Sequence, residues 1–208
     1  EFRRVLFRSN GTAWSQVHTD ANYSDNWLEG LAALGSTLKA DSLGCSLFQA
    51  NTGIGLTSQQ ARFSAIYLNK ATTLTGVVVY IKTAGNYTAN NFNGAALYSY
   101  SGGTLTQVAT SANTGTTWAG TGYVQIAFST TYSAARGVFF VALLYSSSAQ
   151  TTQPVIAGLA ALDAGGKVSP LTTNSAKIHA TSVNLQTALT GTYSSSTDLS
   201  TKIGRAHV

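Results

Sequence analysis

Proteins hold sugar rings in water through two complementary contacts: an aromatic side chain against the apolar face of the ring, and amides or hydroxyls against its OH groups. Two uncharged segments of this chain offer both. Thr83–Gly94 ("TAGNYTANNFNG") supplies Tyr87, Asn90, Asn91 and Phe92, and Thr114–Tyr123 ("TGTTWAGTGY") supplies Trp118 and Tyr123. Tyr87, Asn90, Asn91, Trp118 and Tyr123 are therefore the candidate ligand-binding residues, with Phe92 beside them. A purely structural account competes with this one, because Asn and Gly also make turns and a loop aromatic often closes the end of a core.

Catalytic chemistry has less to draw on. His18 and His179 are far apart in sequence, and there is no nucleophile elbow, paired-glutamate motif or phosphate-cradling glycine loop. His18 lies near Asp20 and Asp25, which reads as a polar loop leading into a helix. Asp20, Asn22 and Ser24 alternate as in a calcium loop, but Asp25 replaces the loop glycine and Leu31 falls where the closing Glu is needed. Asn86-Tyr87-Thr88 forms a glycosylation sequon, which has meaning only in a eukaryotic secretory route. The expectation is a protein that is not an enzyme, with no cofactor and no metal.

The elements that must position these residues are mostly strands. Before Ser46, Trp27, Leu28, Leu31 and Leu34 form a stripe at helical spacing, with Ser24 or Asp25 as a cap and Gly35 as a stop. This predicts a short amphipathic helix in an N-terminal arm, residues 10–41. From Ser46 the period becomes that of strands. "ARFSAIYL", "TTLTGVVVYIKT", "GAALYSY", "TLTQVATS", "GYVQIAFS" and "GVFFVALLYS" are strong strands, with weaker ones at Pro154–Leu159 and near Ala176–Val183. Ser101-Gly102-Gly103 marks a hairpin, and "TTYSAAR" reads as the connection between two strands. Val138–Tyr145 is apolar on both faces, so it belongs at the centre of a sheet, covered on each side. Short strands without intervening helices predict an all-β fold, an antiparallel jelly-roll-like β-sandwich over residues 42–201.

Charge is sparse and oddly placed. Five of the twelve Lys and Arg residues lie in Glu1–Ser9 and Lys202–Val208. A single oligonucleotide accounts for both ends: GAGTTCAGACGTGTGCTCTTCCGATCT encodes Glu1–Ser9, and its reverse complement completes the Lys202 codon with its first two bases and encodes Ile203–Val208 and then a stop codon. The ends therefore read as translated sequencing adapter flanking an insert, and the sandwich is expected to lack a final edge strand beyond Thr201. Without the ends, seven basic and six acidic side chains remain. Neither nucleic acid binding nor membrane insertion is expected, since the net charge is small and no apolar run reaches the roughly 20 residues that span a bilayer. A lone Cys45 excludes an internal disulfide and reads as a small packing residue.

The stretch "AIYLNKATTLTGVVVYIKTAGNYTANNFNGAALYSYSGGTLTQVATS", followed by "YVQIAFSTTYSAARGVFFVALLYSSSAQTTQPVIAG", resembles a β-sandwich module of bacteriophage virion proteins, tail-fibre and appendage chains above all. The similarity runs from about Ser42 to Thr190, with "LYSYSGGTLTQVA" and "ARGVFFVALLYSSSAQTTQP" its most specific parts. It implies a structural or adsorption part of a virion, outside the cell. Other virion subunits and copies of itself are the expected partners, in a trimer whose arms bury the apolar stripe of Trp27 and Leu31, and the uncharged loops make host-surface glycans the expected ligands. The resemblance assigns no catalytic residues. Two other functions stay open: a carbohydrate-binding module of a secreted bacterial enzyme or adhesin, and a capsid decoration domain with no ligand.

Overall fold

Alternation of apolar and polar residues writes most of the strands seen in the computed structural model, which describes residues 7–9, 14–16, 39–40, 52–158, 179–194 and 197–200. The chain divides into two units, Glu1–Ala40 and Asp41–Val208. In the first, β1 (Phe7–Ser9) pairs antiparallel with β2 (Trp14–Gln16). The predicted helix, His18, the aspartates near it and Cys45 lie outside the described residues.

The second unit contains β3 (Thr52–Gly55), β4 (Arg62–Leu68), β5 (Thr72–Thr83), β6 (Asn86–Ala89), β7 (Gly94–Ser101), β8 (Thr104–Thr110) and β9 (Gly122–Ala134). It continues with β10 (Gly137–Leu144), β11 (Ser147–Thr152), β12 (Val155–Gly158), β13 (His179–Ser182), β14 (Thr192–Ser194) and β15 (Leu199–Ser200). One sheet has seven strands in the order β14-β8-β7-β10-β4-β13-β15, a second has four in the order β3-β12-β5-β9, and β6 and β11 form a two-stranded piece. Every pairing is antiparallel. The β5–β9 pair is nested in sequence inside the β4–β10 pair, so one long double hairpin is shared between the two sheets. This is an antiparallel β-sandwich, as the strand periodicity predicts.

β10 stands fourth of seven in its sheet. Its Phe140, Ala142 and Leu144 enter one core with Phe63, Tyr98, Leu105, Leu189, Tyr193 and Leu199. Its Leu143, together with Ala95, enters another with Leu56, Ile81, Trp118, Ile126 and Tyr145, against which Val77, Val79, Val124 and Val141 pack. The first core lies on the face of the large sheet turned away from the four-stranded sheet; the second fills the space between the two sheets. From Phe139 to Leu144 an all-apolar strand is stable because both of its faces are covered, whereas Val138, expected to be covered as well, is 44% exposed near the strand's start.

Turns follow local chemistry. Gly102 and Gly103 have φ of 55° and 85°, the pair of positive values that a two-residue hairpin turn matched to strand twist requires. The predicted "TTYSAAR" connection is different: β9 continues through Thr130–Ala134 and pairs with the start of β5, leaving only Ala135-Arg136 as the turn. The ladder breaks between Leu74 and Gly76, where β9 carries extra residues, and there Phe128 forms a bridge to Ser111 after β8. One strand thus bends from one sheet toward the other, and the break in its ladder with β5 relieves the bend.

Candidate functional site

The five candidate residues occupy four distinct places. Trp118 is fully buried, its Nε1 donating to the Leu144 carbonyl at 3.2 Å. Its ring fills the end of the space between the sheets with Leu56, Ile81 and Tyr145. No ligand can reach it, so the binding role is corrected to a packing one: a large aromatic in a polar loop gains more from the core than from solvent. Phe92 likewise packs against the core around Phe63 and Tyr98.

Tyr87 is half-buried on β6, its ring edge-on to Tyr145 at 4.9 Å. Its hydroxyl accepts the Trp118 backbone N–H at 3.2 Å. Burial pushes the phenol above its ordinary range, opposed by the Trp118 N–H and reinforced by Tyr145. The placement braces the Trp118 loop.

Asn90 and Asn91 are exposed, and Asn91 has a left-handed φ of 49°, which asparagine tolerates better than most residues. The Asn90 side chain accepts the Asn91 N–H, and the Asn91 carbonyl accepts from Asn113 Nδ2, both at 2.9 Å. Beneath them is Asn93, fully buried. Its Nδ2 donates to the carbonyls of Ser146 (2.9 Å) and Asn90 (3.2 Å), and its Oδ1 accepts the Ser146 N–H at 2.9 Å. Its own N–H donates to Asn113 Oδ1, and its carbonyl accepts from Thr114 N–H and Thr117. With its side-chain amide on Asn90 and Ser146 and its backbone on Asn113, Thr114 and Thr117, one residue therefore ties three connections together at this end of the sandwich. Sequence reasoning passes over Asn93, because buried and exposed asparagines look alike in "NNFNG".

Tyr123 stands apart from these groups, on the outer face of the four-stranded sheet, and is 66% exposed. It lies directly opposite Tyr80 across β5 and β9, with ring centroids 5.0 Å apart and planes at 76°. Alternation puts Val78, Tyr80 and Lys82 on this face with Tyr123 and Gln125, while Val77, Val79, Ile81, Val124 and Ile126 point into the core. Tyr80 is the residue the sequence reading misses. Its signal is present in "VVVYIK", where it shares a strand face with a lysine.

Among the described residues no group of three or more His, Cys, Asp or Glu forms a metal cluster, and no helix is long and apolar enough to cross a membrane. A shallow open cleft of about 250 Å³, lined by Gln107, Thr110, Ser129 and Thr130 among others, lies where β8 and β9 splay. None of the candidate residues lines it. The chain matches no family model, no curated protein and no solved structure.

Proposed function

We propose that this chain is a non-enzymatic structural and adsorption module of a bacteriophage particle, displayed on a fibre, appendage or capsid surface with other copies of itself, and that it contacts host-surface glycans. The observation that supports this reading is the Tyr80–Tyr123 pair, a solvent-facing aromatic corner on a sheet whose opposite face is packed solid. The resemblance to virion sandwich modules points the same way. A carbohydrate-binding module of a secreted enzyme or adhesin would present the same face; neighbouring capsid and tail genes favour the virion, and a catalytic domain in the same reading frame favours the enzyme.

The test is to mix the labelled chain with intact cells of a panel of bacterial strains. Saturable attachment to some strains is expected, lost when the cells are treated with periodate and retained after protease. Absence of attachment across the panel overturns the adsorption role and leaves a ligand-free decoration domain.

A further inference from the structure

We propose that Asn93-Gly94 is a self-modification site: a deamidation step that the fold holds shut, and that turns an opening of this end of the sandwich into a permanent loss of it. The step is independent of the adsorption reading and operates whatever surface the sandwich meets.

An asparagine followed by glycine closes readily into a cyclic imide, because no side chain keeps the next backbone nitrogen away from the asparagine Cγ. The chain contains two such steps, Asn10-Gly11 and Asn93-Gly94, and Asn10 lies outside the described residues. At position 93 the fold itself demands the pair. Asparagine is needed because one planar amide must donate to the Ser146 and Asn90 carbonyls and accept the Ser146 N–H. Glycine is needed because a Cβ at position 94 would collide with Ser111 Oγ and lie 3.0 Å from Phe92 Cζ and 3.1 Å from the Ala112 carbonyl oxygen. Ser111 Oγ cannot simply turn aside, since it accepts the Ala95 N–H at 3.1 Å and donates to the Ala112 carbonyl at 2.9 Å. Packing thus writes a reactive step into the core.

In the reaction the Gly94 nitrogen, its proton taken by hydroxide, bonds to Asn93 Cγ. The Cγ–Nδ2 bond breaks, and Nδ2 leaves as ammonia with a proton from water, which restores the hydroxide. Water then opens the imide. Cleavage at Cγ leaves aspartate at position 93, and cleavage at the backbone carbonyl leaves isoaspartate, with the main chain running through the side chain. In sum one water enters, one ammonia leaves and a carboxylate replaces an amide; nothing is oxidised or reduced.

The folded chain blocks each part of this sequence. Asn93 is fully buried, so hydroxide and water do not reach it. Its three side-chain hydrogen bonds hold the amide plane and keep Nδ2 between two carbonyls. Gly94 begins β7 opposite Leu144 of β10, so its nitrogen cannot swing onto Cγ while those strands are paired. All three restraints end together when β7 parts from the junction of β10 and β11, the kind of local opening that precedes global unfolding. The product has no way back. Aspartate sets a buried charge against two carbonyls, and isoaspartate adds a carbon to the backbone where β7 must enter register. From Thr52 to Gly158 the chain contains no Asp or Glu, so this would be the first carboxylate of that stretch. A reversible opening becomes an irreversible one, and the working life of the module is set by the time it spends open.

The test incubates the full chain in mildly alkaline buffer with and without denaturing urea. Two quantities are followed: deamidation of the Asn93 peptide by mass spectrometry, and the fraction of chains that recover the parent urea midpoint after dilution. Asn93 is expected to react more than about tenfold faster in urea than in the folded chain, since reaction there needs no opening. The refoldable fraction should fall at the rate at which intact Asn93 disappears. Gly94→Ala, read in urea so that its own folding does not matter, should slow reaction at Asn93 severalfold. Asn10→Ser, which removes the other Asn-Gly step, should leave the loss of refolding unchanged. The proposal is overturned if Asn93 reacts equally fast folded and unfolded, or if chains deamidated at Asn93 recover the parent midpoint. It is overturned equally if refolding is lost while Asn93 stays intact, or if Asn10→Ser prevents the loss.

Discussion

Asn93 and Ser146 exchange two buried hydrogen bonds, Asn93 Nδ2 to the Ser146 carbonyl and Ser146 N–H to Asn93 Oδ1, each 2.9 Å long. The side-chain amide of one residue thereby completes the backbone of another as a strand neighbour would. It does so where β10 gives way to β11 and no strand is available.

Removing that amide leaves buried donors and acceptors without partners. Asn93→Ala should cost about 2–4 kcal/mol, and Asn93→Asp, which turns a donor into an acceptor facing two carbonyls, at least as much. Urea unfolding of the two variants checks this; a loss under about 0.5 kcal/mol in both would show that the Asn90 and Ser146 connections hold without the amide.

Trp118→Ala should destabilise the fold by about 3–5 kcal/mol, the usual cost of emptying a large aromatic site. Below its lowered unfolding midpoint the variant should still attach to cells as the parent chain does. A loss of attachment with an unchanged midpoint would return Trp118 to the ligand surface.

Gly76 faces the bend in β9. A Cβ there would lie 2.5 Å from the Ile126 carbonyl oxygen and 2.9 Å from the Ala127 Cα, both backbone atoms that cannot rotate away. Gly76→Ala should therefore cost about 1–3 kcal/mol, the range for overpacking, and lower the midpoint in a thermal melt. Gly102→Ala makes a useful contrast: its Cβ would meet nothing within 4 Å, so any cost there comes from the positive φ alone.

Tyr98 gives the fold an alkaline limit. Its hydroxyl donates to the Thr190 carbonyl at 2.7 Å, and burial, with Tyr193 alongside, raises the phenol well above its ordinary range. Because the folded state holds this proton more tightly than the unfolded one, the stabilisation is complete below about pH 10 and is lost as pH rises beyond it. Urea midpoints measured from pH 8 to 12 should fall more steeply in the parent chain than in Tyr98→Phe, with Tyr87 contributing in the same direction. Parallel curves would show that Tyr98 does not set the limit.

Much of this fold is legible in the sequence. β10 announces its central place by being apolar on both faces, and Gly102-Gly103 marks its hairpin. β6 and β11 are invisible to periodicity because "NYTA" and "SSAQTT" bury little and are joined by backbone pairing and by the Ser148 and Thr151 hydroxyls, which donate to the Thr88 and Asn86 carbonyls. β9 reads short because its alternation breaks at the bulge, where Ser129 and Thr130 are both exposed. The candidate site is legible only in part, for a related reason. Composition identifies residues able to touch a sugar, but burial decides which of them can, and burial depends on partners distant in sequence: Leu144 for Trp118, Ser146 for Asn93. Tyr123 is identified by its chemistry; Tyr80 leaves a signal in "VVVYIK", but its pairing with Tyr123 across the ladder emerges only once the register is known.

The stretch Thr52–Gly158 that lacks carboxylates also holds no histidine and no cysteine. It therefore contains no residue type that ordinarily changes charge between about pH 5 and 9. Between an acidified and a neutral medium the face built by β3, β12, β5 and β9 keeps its own charge, His179 standing on β13 of the other sheet, so a pH response of binding through that face originates in the surface being bound. Under the proposed adsorption role, a bacterium that altered the ionisation of its envelope would change the grip of this module, while acidity acting on those four strands alone would not.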